Sequence, residues 1–582
     1  MLGISFLAPL AISALCFTSG SAGQGQNTDG DCKCLYGEIC WPSESDFAEL
    51  SSQLSQPLIH PVPSASACYS AESPSVDCAV VQANFRNYTW RADHADTYQN
   101  VNFERYIFSN GSISACYLNA TLGFPCDQGS IPPIGVDARN AGDVQVAVRF
   151  AVEKNLKLVI KNTGHDFLGR SSGRNGFMIW THHMKNVVYN ETFAPEGAPE
   201  TEIYQALTVG AGVQWREAYA AAQQNNRFIV GGISGDGSVG AAGGWIGGGG
   251  HSPSAPRYGL GVDNAVQFTV VTANGDHIIA NPYSHPELFW ALRGGGPGTY
   301  GVVTSVTYKT HPVEPVVVGF VTANFTSTKV AKSVGTELLK LQPRLSDAQW
   351  SGGMHYTRTS LAYTLCAPNA TMDQVNVVIG PFLEHLNRTA GENNTQVSIF
   401  PVLSFQDAID RKAARLGFLA GGNGELASRL YTRNLYETEP EKMVEAFLKM
   451  PGGSVVFAQV AGGVVSQIDP DSAGLNPAWR GTLGPVITSV QWEEGASATE
   501  IQVQRDALKQ AIDILEELEP GTGSYVNEGS LYEPNPKWTY FGDHYDKLLE
   551  IKDQYDPNGL FVVASGVGSD RWDDGLNCRR GQ

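Results

Sequence analysis

Between Gly231 and His251 the chain is so rich in glycine that ordinary helix or strand packing cannot use the segment. A glycine inside a helix costs roughly 1 kcal/mol relative to alanine, and Ala241–Gly250 holds six of them, so no stable helix is expected there. Glycine lets a backbone approach a ligand closely, and successive N–H groups in such a loop form a concavity suited to phosphate. Val239, Ala241, Ala242, Trp245 and Ile246 interrupt the glycines, which fits a packed loop better than a flexible linker. Upstream, Lys161-Asn162-Thr163-Gly164-His165-Asp166-Phe167 is a polar turn that ends the apolar run Leu156–Ile160, and Gly169-Arg170-Ser171-Ser172-Gly173 follows it. A histidine in a turn is most often structural. Beside a phosphate-cradling loop, however, a nucleophilic imidazole points to a large bound dinucleotide, with a covalent bond open to it.

Gly235-Asp236-Gly237-Ser238-Val239-Gly240 also matches G-x-G-x-x-G after the apolar Phe228–Val230, with Asp263 downstream. The helix that this fingerprint requires is missing, so a doubly wound NAD fold is the lesser reading.

From Ile134 onward helix and strand patterns mix. Asn140 is placed to cap a helix with Asp143 at its third position, and Val144, Ala147, Val148, Ala151 and Val152 give it one apolar face. Strands are expected at Leu156–Ile160, Phe177–Thr181, Ala206–Gly210 and Phe228–Val230, and helices at Val213–Gln223 and Glu287–Arg293. Asn274-Gly275 between Ala265–Ala273 and His277–Ala280 is a strong hairpin signal. Past Pro312–Val316, strand-like runs (Val316–Phe325, Gly453–Gln459, Val486–Trp492) alternate with longer helices (Ser327–Leu341, Glu439–Met450). The fold class is therefore α+β with several antiparallel pairs. The expected units are a leader at 1–23, a cysteine-rich region at 24–125, a first domain at 126–314 and a second at 315–510. The tail 511–582, helical at Lys547–Tyr555, is too short to fold alone and is expected to pack back on the first domain.

The net charge of −19 excludes nucleic acid and anionic membrane as natural partners. Leu2–Phe17 followed by Ser19–Gly23 reads as a secretory signal cleaved near Ala22 or Gly23, although it lacks a basic n-region. The run is too short for a membrane anchor, which needs about 20 apolar residues. Asn-x-Ser/Thr sequons at Asn87, Asn110, Asn119, Asn190, Asn324, Asn369, Asn387 and Asn393 add N-glycans to the expected partners. Beyond the leader, Cys32, Cys34, Cys40, Cys68, Cys78, Cys116 and Cys126 cluster early, with Cys366 and Cys578 remaining. That pattern suggests disulfides stapling the N-terminal region of a secreted, extracellular protein, with one thiol left over. The close spacing of Cys32, Cys34 and Cys40 also suits zinc, but no histidine cluster accompanies it and no metal is expected.

At these residues the chain resembles the FAD domains of the vanillyl-alcohol-oxidase and p-cresol-methylhydroxylase (PCMH) class. Gly164-His165-Asp166 is similar to their histidyl-flavin site. Ser238–Gly244, Gly247–His251 and Tyr258-Gly259-Leu260 are similar to their pyrophosphate region, and Leu288–Gly296 and Tyr300–Thr304 continue the match. The tail, with Tyr525-Val526-Asn527-Glu528, Tyr555-Asp556-Pro557 and Leu560-Phe561, resembles the berberine-bridge-enzyme-like subgroup, and within it secreted fungal proteins of the isoamyl alcohol oxidase kind. The resemblance implies a two-part PCMH-type FAD domain with a sheet-containing substrate domain. It implies FAD bonded through the 8α-methyl to His165, wrapped by Asn162, Thr163, Gly164, Asp166, Gly169 and Arg170. Gly232, Ser238, Val239, Gly240, Gly243, Gly244 and His251 would belong to the cofactor site, the Ser238–Gly244 loop donating N–H groups to the diphosphate. Asn527 would lie beside the flavin, and Tyr525 and Glu528 would be the catalytic proton-handling groups.

Many relatives carry a second flavin bond through a cysteine two residues before Ser/Thr-Val-Gly; here that position is Asp236, so single attachment through His165 is expected. Ser530 stands where relatives often have aspartate. The expected activity is oxidation of an alcohol-type or related C–H donor, a small molecule, with O2 as final acceptor and hydrogen peroxide as product. A specialised-metabolism oxidase or cyclase, or a flavin-free secreted binding protein on the same fold, are the other readings. Tyr356, Tyr363, Tyr431, Tyr436 and Trp492 are aromatic candidates for a pocket lining, with core packing the commoner role.

Overall fold

The computed structural model describes residues 32–69, 76–234, 236–410 and 420–581; the expected leader at 1–23 and Gly235 lie outside these. The chain is α+β, built on three main sheets. Asn140 accepts a bond from the Asp143 N–H at 3.1 Å and starts the helix Ala141–Glu153. The buried face of this helix, Val144, Ala147, Val148 and Ala151, packs with Ile134, Val136, Phe177 and Ile179. Those residues belong to a four-stranded sheet in the order Leu58–Ile59, Ile134–Asp137, Phe177–Trp180, Leu158–Lys161, of which the last three run parallel.

The second sheet is antiparallel and runs His277–Ala280, Ala265–Val271, Val302–Pro312, Tyr204–Gly210, Val187–Phe193, with Arg227–Ile229 also on Val302–Pro312. The hairpin expected at Asn274-Gly275 forms, but through a wider turn, in which Thr272 N–H donates to Asp276 O at 3.0 Å and Gly275 takes a φ of +76°.

The third sheet has seven antiparallel strands in the order Thr395–Val402, Val316–Asn324, Ser360–Pro368, Ser351–Thr357, Ser454–Gln459, Thr482–Trp492, Asn423–Thr432. Helices Thr328–Asp347, Met372–Ala390, Pro440–Lys449 and Ala498–Leu518 join one face of it in a single core. Tyr356, Tyr363, Tyr431 and Tyr436 are buried in that core, so they pack rather than line a pocket, and Trp492 joins a smaller cluster with Leu508 and Ile512. Helix Ala498–Leu518 runs unbroken through residue 510, so the boundary placed there moves to Leu518. The helix expected to stop at Leu341 continues to Asp347 through Pro343. A proline cannot donate to the carbonyl one turn back, and the Gln342 side chain donates to Leu338 O at 2.7 Å beside that gap.

In the tail, Tyr525, Val526, Tyr540, Phe541 and Leu548 enter the same core as Trp215 and Trp245 of the first unit. Arg429 of the third sheet and Glu533 of the tail form a buried bidentate pair at 2.8 and 3.0 Å. Disulfides join Cys34–Cys40, Cys68–Cys78 and Cys116–Cys126. Cys32 departs from the expected N-terminal stapling and bonds Cys578, 546 residues away, with which it also forms a β-bridge, while Cys34 bridges Leu156 beside the first sheet. Cys366 is the odd thiol. The one metal-like grouping among the described residues, Cys34, Glu38 and Cys40, has its two sulfurs bonded to each other. No described helix is long and apolar enough to cross a membrane.

Burial, with Arg227 and Lys309 nearby, lowers the His311 pKa to about 4, and its Nε2–H donates to Asn264 Oδ1 at 2.7 Å. The unfolded chain takes up this proton near pH 6.5 and the folded chain only near 4. Stability is therefore expected to fall as the pH drops through that window, by about 1–3 kcal/mol from this group. Thermal midpoints measured from pH 7 to 4 should fall less steeply in His311→Gln, which keeps a donor toward Asn264. Equal slopes would assign the acid sensitivity to other groups.

Candidate active site

A cavity of about 870 Å³ lies where the glycine loop, the His165 turn, the tail and the third sheet converge. The His165 turn forms because Gly164, at φ +73°, sits against Tyr98, where a Cβ would come within 3.1 Å of its Cα. The neighbouring Lys161 is fully buried and donates to the carbonyls of His94, Ala95 and Thr97 at 2.6–2.8 Å, pinning the strand end beneath the turn.

His165 is fixed on two sides. Its Nε2 lies 2.7 Å from Ser238 Oγ, and the Tyr88 ring is parallel to it at 6.1 Å. Burial lowers its pKa to about 4, against the partial pull of Asp236, so at neutral pH the ring is uncharged and has a lone pair available. Asp236 accepts from Thr89 Oγ1 at 2.7 Å and from Ser238 N at 3.1 Å.

Asp166 accepts from the backbone N–H of Leu168 and Arg170 and from Arg170 Nε at 2.7 Å. Arg170 passes on to Asn527 Oδ1 at 2.8 Å, and Asn527 Nδ2 donates to Gly244 O and Tyr525 Oη, both at 2.9 Å. This chain of bonds ties turn, loop and tail together. His251 Nε2 stands 3.3 Å from Glu528 Oε1, with the His251 ring edge-on to Tyr525 and stacked on Trp479. The other carboxylate oxygen, Glu528 Oε2, is buried without a partner. Burial, reinforced by the Glu528 charge, raises the Tyr525 pKa and keeps its phenol protonated, so its Oη accepts from Asn527 and retains an O–H to donate.

Asn162, Thr163, Gly164, His165, Asp166 and Arg170 all face the cavity, as do Val239, Gly240, Gly243, Gly244, His251, Tyr525, Asn527 and Glu528. Three expected cofactor residues sit behind its wall. Gly169 packs on Phe103, Gly232 lies between Trp215 and Trp245, and Ser238 is fully buried with its hydroxyl on His165. Two backbone N–H groups expected to face a diphosphate are engaged inside the protein instead, Ser238 with Asp236 and Ala241 with Val213 O. Ser530 is buried and bonded to Tyr540 and Tyr532. Tyr88, Thr89 and Trp479 complete the site and carry no local sequence signal.

The cavity suits a phosphate-bearing dinucleotide. A Cβ built on Gly243 or Gly244 meets nothing within 4 Å, so the loop leaves room at this point. Asn162 Oδ1 and Ser234 Oγ are buried without partners on residues of the same cavity. Gly244→Val is accordingly expected to fold with a wild-type melting profile when flavin-free and to lose bound flavin, read from visible absorbance after purification. Full flavin content would place the cofactor's phosphates elsewhere.

A family model described as FAD binding domain matches residues 132–281, and one described as Berberine and berberine like matches 524–568. The chain is 36% identical over 572 residues to an uncharacterized FAD-linked oxidoreductase of Arthroderma benhamiae, covering 94% of this chain and 96% of that protein. The crystal structure of the VAO-type flavoprotein MtVAO615 from Myceliophthora thermophila C1 matches with a TM-score of 0.83 at 29% identity, over 94% of this chain and all (100%) of that one. The glucooligosaccharide oxidase of Acremonium strictum, which carries a 6-S-cysteinyl, 8α-N1-histidyl FAD, shares the fold with a TM-score of 0.61 at 18% identity, over 75% of this chain and 92% of that one. The open glycine cradle, the unpartnered polar atoms and the neutral buried imidazole fit FAD. The chain belongs to the FAD-linked oxidoreductases of the vanillyl-alcohol-oxidase class, berberine-bridge-enzyme-like subgroup.

Proposed function

We propose that this protein is a secreted, N-glycosylated oxidase of an alcohol-type or related C–H donor, with FAD attached once, through His165. Bound FAD supplies the hydride acceptor, which O2 returns to its oxidised form with release of hydrogen peroxide. The observation that carries this reading is Glu528 Oε2, an unpartnered carboxylate oxygen on a residue of the same cavity as His165. In this reading the Glu528 carboxylate takes a proton from the donor hydroxyl as the hydride departs. His251 steadies the other oxygen, Tyr525 offers a hydrogen bond, and Arg170 with Asn527 holds loop and tail at fixed separation.

Single attachment is supported by the lack of any cysteine from Gly231 to His251 and by the engagement of Asp236 with Thr89. Secretion is supported by four disulfides and by the sequons: seven of the eight sequon asparagines are exposed and Asn387 is half-buried, whereas Asn100, Asn264, Asn281 and Asn476 are buried.

The test is a screen of alcohols against flavin-loaded protein, following flavin bleaching and peroxide together. Bleaching with equivalent peroxide in air is the expected result. Bleaching without peroxide would make the protein a dehydrogenase, and no bleaching by any donor would remove the alcohol reading.

A further inference from the structure

The seven-stranded sheet presents one face to helices and the other to the cavity, and alternation along its strands sorts the residues. On Ser454–Gln459, Val455 and Phe457 are buried among the helices while Ser454 and Val456 line the cavity; on Thr482–Trp492, Val486 is inside while Ile487, Ser489 and Gln491 line it. His355 pairs with Ala362 on one side and Val456 on the other, so these three form one cross-strand row on the cavity face. Among the described residues that line the cavity from this sheet, none is Lys, Arg, Asp or Glu. A carboxylate or ammonium on the substrate would find no counter-charge on this wall, and burying either one unpaired is costly.

On this wall, which Ser489 and Gln491 also line, His355 Nε2 contacts Ser454 Oγ at 2.7 Å. One hydrogen lies between them in either arrangement. If Ser454 donates, the imidazole must carry its proton on Nδ1 and offers a donor. If the imidazole donates, Ser454 keeps its own O–H as donor and Nδ1 is an acceptor. Either way the pair presents both a donor and an acceptor, which matches a hydroxyl, itself donor and acceptor. Burial lowers the His355 pKa, in keeping with an uncharged ring. Around the pair, Ala362, Leu426, Val456 and Ile487 supply an apolar surface.

We propose that His355 and Ser454 are specificity-determining residues that recognise a second hydroxyl, distinct from the one oxidised, so that the substrate is an uncharged, largely apolar molecule bearing two hydroxyls. This rests on the oxidase reading above, which assigns the oxidised group to the Glu528 side of the cavity.

The experiment uses flavin-loaded secreted protein and two probe series: 1,4-benzenedimethanol, 4-methylbenzyl alcohol and 4-(hydroxymethyl)benzoate, then 1,6-hexanediol, 1-hexanol and 6-hydroxyhexanoate. Binding is read by ligand-detected NMR and by perturbation of the flavin spectrum. In at least one series the diol should bind about tenfold more tightly than its methyl and carboxylate analogues, as expected for one well-placed hydrogen-bonding group. His355→Ala and, separately, Ser454→Ala should bring the diol-to-methyl ratio near one, with flavin content unchanged, and His355→Gln should restore part of it. Tightest binding by the carboxylates, a ratio that survives in both variants, or no binding by any probe would overturn the proposal. A protein that carries no flavin would instead overturn the oxidase reading, and the two failures are separated by the absorbance of the same sample.

Discussion

Glu528→Gln is expected to slow anaerobic flavin reduction by about 10²–10⁴-fold, the range for loss of a positioned general base. The substitution is nearly isosteric, and glutamine can keep the contact with His251 at 3.3 Å. What it removes is the proton-accepting carboxylate, whose Oε2 is buried without a partner. Tyr525 cannot take over, because burial, the larger cause of its raised pKa, still holds its phenol protonated when the Glu528 charge is gone. Stopped-flow reduction with the best donor from the screen measures the effect directly. A rate equal to wild type would remove Glu528 as the base and make His251, its hydrogen-bond partner, the next candidate.

The second large effect is all-or-none. After acid denaturation, the wild-type band is expected to fluoresce under ultraviolet light and the His165→Ala band to be dark, with any flavin released into the supernatant. The imidazole is held between Ser238 and the parallel Tyr88 ring and is uncharged at neutral pH, the state in which its nitrogen can form a bond. Under the single-attachment proposal no second bond compensates, since no cysteine lies between Gly231 and His251. A fluorescent His165→Ala band would put the bond on another residue, and a dark wild-type band would mean that FAD is held without one.

How far such a site can be read in advance depends on the range of the interactions that build it. The Asn140 cap and the hairpin at Asn274-Gly275 are set by neighbours a few residues apart and are legible; the glycine loop is legible as a loop, although a single helical turn, Gly244–Gly247, forms where none is expected. The end of the helix at Asp347 is not legible, because the helix continues through a buried Pro343 where a proline usually marks a stop. Strand Asn423–Thr432 is harder still. Its charged Glu425 and Arg429 are both buried because Arg505 of helix Ala498–Leu518 and Glu533 of the tail reach them. The site divides the same way. The His165 turn and the Tyr525–Glu528 segment are recognisable as motifs, but Thr89 meets Asp236 across 147 residues, and Tyr88 and Trp479 arrive by equally distant routes. Ser238 and Gly232 were legible as loop residues, whereas their positions behind the cavity wall follow from the packing of Trp215 and Trp245.

The bond between Cys32 and Cys578 makes the folded polypeptide, in covalent terms, a ring. A protease that nicks one surface loop between these two residues opens the ring without releasing a fragment, and the sheets on either side of the cut stay tethered through the joined ends. For a protein whose site is assembled from a turn, a loop and a tail far apart in the chain, a single break need not let those parts diffuse away. Within residues 32–578 the same closure has no preferred starting point, so new ends placed in an exposed loop, with residues near 32 and 578 linked by peptide, would preserve the cyclic order of the elements around the cavity.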